Sequence, residues 1–126
     1  MEAFYTLQGE GFHQGKAAYF IRLAGCDVGC VWCDVKESWN EDLYPLQTID
    51  EIVSKAVENP ARLAVITGGE PTLYNLEMLT SALKKEGFQT NIDVVSFRFI
   101  NYARIHIYHH ANFSATSNFN SLNIDL

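Results

Sequence analysis

The chain is short of basic charge, of long apolar runs and of cysteine, and each shortage closes off a class of function. Nine Lys and Arg stand against fifteen Asp and Glu, a net charge of -6 over 126 residues. The basic patch that tracks a phosphate backbone is missing, so nucleic acid is not an expected partner. No run approaches the ~18 apolar residues of a membrane-spanning helix. The opening Met1-Glu2-Ala3-Phe4 has neither the basic start nor the apolar stretch of a secretory signal. No membrane is expected as partner, and the expected setting is cytoplasmic. The three cysteines are an odd number and all lie between Cys26 and Cys33, which argues against a disulfide framework. With 48% apolar and 19% charged residues, the mark of disorder is absent, and length and composition suit one domain that can bury a core.

A second set of absences divides the chain. Residues 94–126 contain no Gly, Pro, Lys or Glu, and their charges are Arg98, Arg104 and Asp125. Residues 1–93 hold all eight glycines, all three prolines and a net charge of -7 (7 basic, 14 acidic). The reading is therefore a unit at 1–93 and an atypical tail at 94–126, expected to arise out of frame. Val95, Phe97 and Phe99 alternate there, as do Ile105 and Ile107, so the tail has strand potential and is equally an aggregation hazard. His106-x-x-His109-His110 is read as solvated histidines, since spacing alone does not make a metal site.

The first 93 residues predict alternating elements. Ala17–Ala24 is a short apolar run between Gly15 and Gly25 and reads as a buried strand. Thr48-Ile49-Asp50-Glu51 is a capping box; Ile52, Val53, Ala56 and Val57 continue at helical spacing until Pro60 stops the helix. Leu63-Ala64-Val65-Ile66 is a second strand, ending in Thr67-Gly68-Gly69-Glu70-Pro71. A second helix is expected from about Asn75, with Leu76, Leu79 and Leu83 on one face and Gly87 as C-cap. A third strand should begin near Gln89. Strand and helix in alternation imply a parallel sheet, with functional loops beyond the strands' C-terminal ends.

Cys26-Asp27-Val28-Gly29-Cys30-Val31-Trp32-Cys33 has the spacing C-x3-C-x2-C directly after the first strand. Three thiolates from one loop can cap three irons of a [4Fe–4S] cubane and leave the fourth iron open for a small molecule. Gly25 and Gly29 allow the tight turn, and Trp32 is expected as an apolar lid that limits solvent access. Structural zinc is the competing reading and needs a fourth ligand from His13, Asp34 or a tail histidine. Three buried structural cysteines are the remaining one.

The cysteine loop, with Trp32 before its last cysteine, resembles that of radical S-adenosylmethionine (SAM) enzymes. Thr67-Gly68-Gly69-Glu70-Pro71 resembles that superfamily's second hallmark, one βα unit later. Phe4–Gly11, Phe20–Cys26, Trp32-Cys33-Asp34 and Lys36–Trp39 are similar to the 7-carboxy-7-deazaguanine synthase family over about residues 2–93. The resemblance implies an α/β fold, a partial TIM-type (βα) barrel truncated after about three strands. It implies a radical SAM lyase that converts 6-carboxy-5,6,7,8-tetrahydropterin to 7-carboxy-7-deazaguanine with loss of ammonia, a step toward queuosine. Cys26, Cys30 and Cys33 would bind the cluster. Trp32, Cys33, Asp34 and Gly69 would line the SAM pocket. Leu7, Gln8, Gly9, Arg22 and Thr67 would meet the substrate, the Arg22 guanidinium pairing with the substrate's carboxylate. An electron donor such as flavodoxin or ferredoxin and a homodimer belong to the same expectation. Many members carry Thr where this chain has Val35. With no side-chain oxygen there, magnesium would have to be held by substrate and water. Little or no turnover is expected of the 126-residue chain. A radical SAM activase is the enzyme alternative; a zinc-binding or remnant module is the non-catalytic one.

Overall fold

A computed structural model of the chain describes residues 2–94 and 122–125. The strands are β1 (Glu2–Leu7), β2 (Ala17–Leu23), β3 (Leu63–Gly68), β4 (Gln89–Val94) and β5 (Leu122–Asp125); the helices are α1 (Ile49–Val57) and α2 (Glu77–Lys85). They form one sheet in the order β1-β2-β3-β4-β5. The three central strands are parallel, as their alternation with helices requires, and the outer strands are antiparallel to their neighbours. Val95, Phe97, Phe99, Ile105, Ile107 and the tail histidines lie outside the described residues.

Local chemistry sets the helix ends. At α1 the Thr48 hydroxyl accepts from the Glu51 amide (3.2 Å) and the Glu51 carboxylate accepts from the Thr48 amide (2.7 Å), the expected capping box. The second helix starts two residues later than its apolar spacing suggests. Asn75 Oδ1 takes the Glu77 amide (3.0 Å), so the side chain of Asn75 caps the helix from outside it. Gly87 ends it at φ +81°, where residues with a Cβ are strained.

Two strands were absent from the sequence reading. In β1, Glu2, Tyr5, Thr6 and Leu7 are exposed, and its side chains make no buried apolar run. Its register comes from the hairpin loop, closed by Gln8 N–H to Lys16 O and Gly15 N–H to Gln8 O (both 2.8 Å). The other is β5, which pairs with the free side of β4, from Asn91↔Asp125 to Val94↔Leu122. This pairing covers the outer edge of β4 along these residues.

The strand pleat separates two faces. On one, Tyr19, Ile21, Ala64, Ile66, Ile92 and Val94 pack against Ile52 and Ala56 of α1 and Leu79 and Leu83 of α2 in the main core. Both helices thus cover the same side, as in a (βα) barrel wall. The opposite, barrel-inner face carries a smaller cluster of Ala18, Leu63 and Val65 with Phe20. Register stacks that face in layers. Phe4, Phe20, Val65 and Asn91 are successive partners across the sheet, and Phe4 and Phe20 stack at 5.4 Å. The next layer toward the C-terminal ends of the parallel strands is polar: Glu2 opposite Arg22, Arg22 opposite Thr67, and Asp93 one residue past the Ile66↔Ile92 pair.

Candidate functional site

The polar layer forms the floor of a cavity of about 400 Å³ at the ends of β2, β3 and β4. Its wall includes Cys26, Cys30, Trp32, Cys33 and Asp34 of the cysteine loop, Arg22, Thr67 and Gly69, and also Glu10, Val35, Trp39 and Asp93. Eight of the eleven residues singled out from sequence are therefore on one cavity: Arg22, Cys26, Cys30, Trp32, Cys33, Asp34, Thr67 and Gly69. Leu7, Gln8 and Gly9 are not on its wall. Leu7 is exposed at the end of β1, and Gly9 is exposed in the loop. Gln8 is buried one layer behind, where its Nε2 donates to Asp93 Oδ2 (3.3 Å) and its Oε1 accepts from the Gly9 amide (2.9 Å).

Glycine chemistry fixes how the two signature loops meet. A Cβ on Gly68 would strike the Leu23 carbonyl, and one on Gly69 would strike the carbonyl of Gly25 and come 2.8 Å from the Cys26 Cβ. The Gly69 amide donates to Leu23 O and the Glu70 amide to Gly25 O, both at 3.0 Å. Gly69 is thus needed first by the cysteine loop itself, which rests on it. Glu70, fully buried, accepts from the Thr72 amide (3.1 Å) and hydroxyl (2.6 Å) and so caps the short 3-10 turn Pro71–Leu73. The turn delivers Tyr74, whose hydroxyl sits between Ala24 O and Glu41 Oε2 (3.2 Å to the latter) with one proton to share. Burial and then the Glu41 carboxylate push the Tyr74 phenol up from its ordinary value.

The three cysteines are free and half-buried. Among the described residues no three His, Cys, Asp or Glu side chains converge as ligands of a single metal ion. Of the fourth zinc ligands considered, His13 is buried with its Nδ1 3.0 Å from Lys16 Nζ, and Asp34 is on the cavity wall. The three thiols border one open volume, which offers a cluster small-molecule space beside it. Trp32 is 70% exposed, at the rim, so it does not cover the cysteines as a lid. The Trp39 indole does approach a sulfur, donating to Cys33 Sγ at 3.3 Å.

Arg22 has found the counter-ion that a cation among Phe20, Ile21 and Leu23 requires: its guanidinium pairs with Glu2 at 2.8 Å and lies 5.2 Å over the Phe4 ring. The sequence reading did not single out Asp93. Burial lifts its carboxyl to about 6. Gln8 and Asn91 (Nδ2 to Oδ1, 3.0 Å) pull it back through hydrogen bonds, while Glu10 adds to the rise and His13 opposes it. The available signal was polarity with period two, Asn91 and Asp93 alternating with Ile92 and Val94 inside a sheet.

Residues 20–125 match the sequence profile of the Radical SAM superfamily. Over 93 residues the chain is 56% identical to a 7-carboxy-7-deazaguanine synthase of Flavobacterium psychrophilum, covering 74% of this chain and 44% of that protein. An Escherichia coli protein of the same name is 39% identical over 112 residues, 73% of this chain and 50% of the relative. The crystal structure of QueE from Escherichia coli superposes with a TM-score of 0.67 at 38% identity, over 75% of this chain and 51% of that one. The chain spans about half the length of these relatives.

Proposed function

The chain belongs to the Radical SAM superfamily, and from that premise we propose that it forms the cluster-holding part of a 7-carboxy-7-deazaguanine synthase. The substrate would be 6-carboxy-5,6,7,8-tetrahydropterin, converted to 7-carboxy-7-deazaguanine with loss of ammonia. The observation that carries this is the placement of three free thiols, Arg22, Thr67 and Asp93 on one cavity at the C-terminal ends of parallel strands. Relatives 56% and 39% identical to the chain bear this enzyme's name.

When bound, a [4Fe–4S] cluster with SAM on its open iron supplies the hydrogen-abstracting chemistry that no side chain here provides. Cys26, Cys30 and Cys33 hold the cluster in this reading, and Trp32, Cys33, Asp34 and Gly69 border the SAM. Arg22 takes the pterin carboxylate. Its present partner Glu2 is half-exposed, and such pairs are worth only about 0–1 kcal/mol, so a substrate carboxylate can displace it. Thr67 offers a hydroxyl in the same layer. Asp93, with its carboxyl at about 6, can accept a proton from bound substrate near neutral pH. Gln8 acts from behind, holding Asp93 in place. Leu7 and Gly9 would come to the substrate through the hairpin loop.

The same reading includes reduction by a flavodoxin or ferredoxin, a homodimer and a cytoplasmic setting; among the described residues no helix is long and apolar enough to cross a membrane. Magnesium is assigned to substrate and water, because Val35 brings no side-chain oxygen to the cavity. Residues 1–93 are the unit that carries the site; the family profile runs on to residue 125, and it is the change of composition after residue 93 that supports an out-of-frame origin for 94–126. Resequencing the coding region tests that division: an intact frame, with no family-like continuation in the shifted frames, would contradict it.

Iron and acid-labile sulfide analysis after anaerobic reconstitution tests the functional reading. About four of each per chain, in brown protein, is expected. A colourless protein with about one zinc per chain would overturn it.

A further inference from the structure

Trp39 is unused in the chemistry above, yet the fold holds it with care. It ends the 3-10 turn Lys36–Trp39. The neighbouring Ser38 is buried, its hydroxyl donates to Val35 O and its carbonyl accepts the Gly25 amide, both at 2.7 Å. Gly25 is the residue on which the cysteine loop starts, so the turn and the loop move as one piece. The half-buried indole is a donor only, and its Nε1–H points to Cys33 Sγ at 3.3 Å. The Lys36 ammonium stands 5.9 Å from the ring centroid, a cation over the ring's electron-rich face.

We propose that Trp39 is a positioning residue that sets the reduction potential of the cluster, by donating its indole N–H to the ligating sulfur of Cys33. The inference rests on the functional reading above. An N–H donor to a ligating thiolate stabilises negative charge on the sulfur, and the reduced cluster carries one more electron than the oxidised one. The bond is therefore stronger after reduction, and the potential is raised. Lys36 acts in the same direction, through its charge and by drawing density from the ring. Half-burial matters because an exposed donor could be replaced by water, whereas this one is held by the Ser38 anchors against the cavity wall. The electron comes from an external low-potential one-electron donor. No proton is transferred, and the indole keeps its hydrogen in both states.

The test is an anaerobic EPR-monitored potentiometric titration of the reconstituted full chain, with dithionite as reductant. Trp39→Phe keeps an aromatic ring beside Lys36 and deletes the donor. At a fixed ambient potential its reduced-to-oxidised ratio should fall on the order of tenfold, about 59 mV for a one-electron couple. A second measurement keeps the test sharp if the variant loses its cluster. In wild-type chain labelled with 15N-indole tryptophan, pulsed EPR of the reduced state should show a nitrogen coupled to the cluster. An unchanged midpoint in Trp39→Phe, or no 15N coupling in the wild type, overturns the inference and leaves the functional reading standing. A wild-type chain that takes up no cluster overturns both.

Discussion

On the helix-covered face of the sheet, Tyr19, Ile21, Ala64, Ile66, Ile92 and Val94 are buried along the whole strand length. On the inner face the same strands change character as they run. Ala18 and Leu63 come first, Phe20, Val65 and Asn91 follow, and Arg22, Thr67 and Asp93 end at the cavity. The two faces share a backbone and differ by one residue of register. The outer face is apolar except for buried Thr90 because it only has to meet helices. The inner one is graded because its C-terminal end must remain polar for a ligand while its middle excludes water. Stability and site chemistry are thus interleaved at period two, and substitutions at adjacent positions should fall into different classes.

The largest expected effect is on the helix face. Leu83→Ala empties a fully buried position and should cost about 2–5 kcal/mol in urea denaturation, with iron uptake per folded chain unchanged. If Leu83→Ala instead altered iron uptake without loss of stability, the division between faces would fail.

Asp93 breaks the comparison from the other side, since it is an inner-face group with a stability cost. Its folded-state carboxyl is raised from 3.8 to about 6, so the folded state holds its proton longer than the unfolded chain. Stability from this group is therefore lost as pH rises from about 4 to about 6, and flat above that. The drop is on the order of 2–3 kcal/mol. Asp93→Asn should remove that slope. A slope that persists in the variant, measured by denaturation at successive pH values, would place the titration elsewhere.

Gly69→Ala probes the joint between the two loops. The added Cβ meets the Gly25 carbonyl and Cys26 Cβ, and overpacking of this kind costs about 1–3 kcal/mol. Because the strain falls on the cysteine loop, iron retention should drop more than the melting temperature suggests. The smallest effect belongs to Glu2→Gln, which removes the exposed pair with Arg22 and should cost less than ~1 kcal/mol. It should also tighten binding of a pterin carboxylate, because the competing anion is gone; weaker binding would remove Arg22 from the substrate role.

Much of this arrangement was legible in sequence where the signal is local. The capping box at Thr48 and Glu51, the apolar runs of β2 and β3, and the C-x3-C-x2-C loop are each contained in fewer than ten residues. What was missed depends on partners far along the chain. Strand β1 is mostly exposed, and its place comes from pairing with β2 through the hairpin. Asp93 carries no motif; it becomes a site residue because β4 lies beside β3 and because Gln8, 85 residues earlier, reaches it. Gly69 was read for closeness to SAM, and the structure gives it a prior duty against the Gly25 carbonyl. Trp32 and Trp39 make the same point as a pair. The tryptophan inside the cysteine motif is exposed at the rim, whereas the one six residues after Cys33 is folded back onto that sulfur.

The central claim is that the inner-face cavity holds a cluster with an open iron beside space for SAM. It is tested most directly by EPR of the anaerobically reconstituted, dithionite-reduced chain, recorded with and without SAM. The account predicts a reduced-cluster signal whose shape and g-values change when SAM is added, and no such signal in Cys30→Ala. A cluster signal that is identical with and without SAM would contradict it.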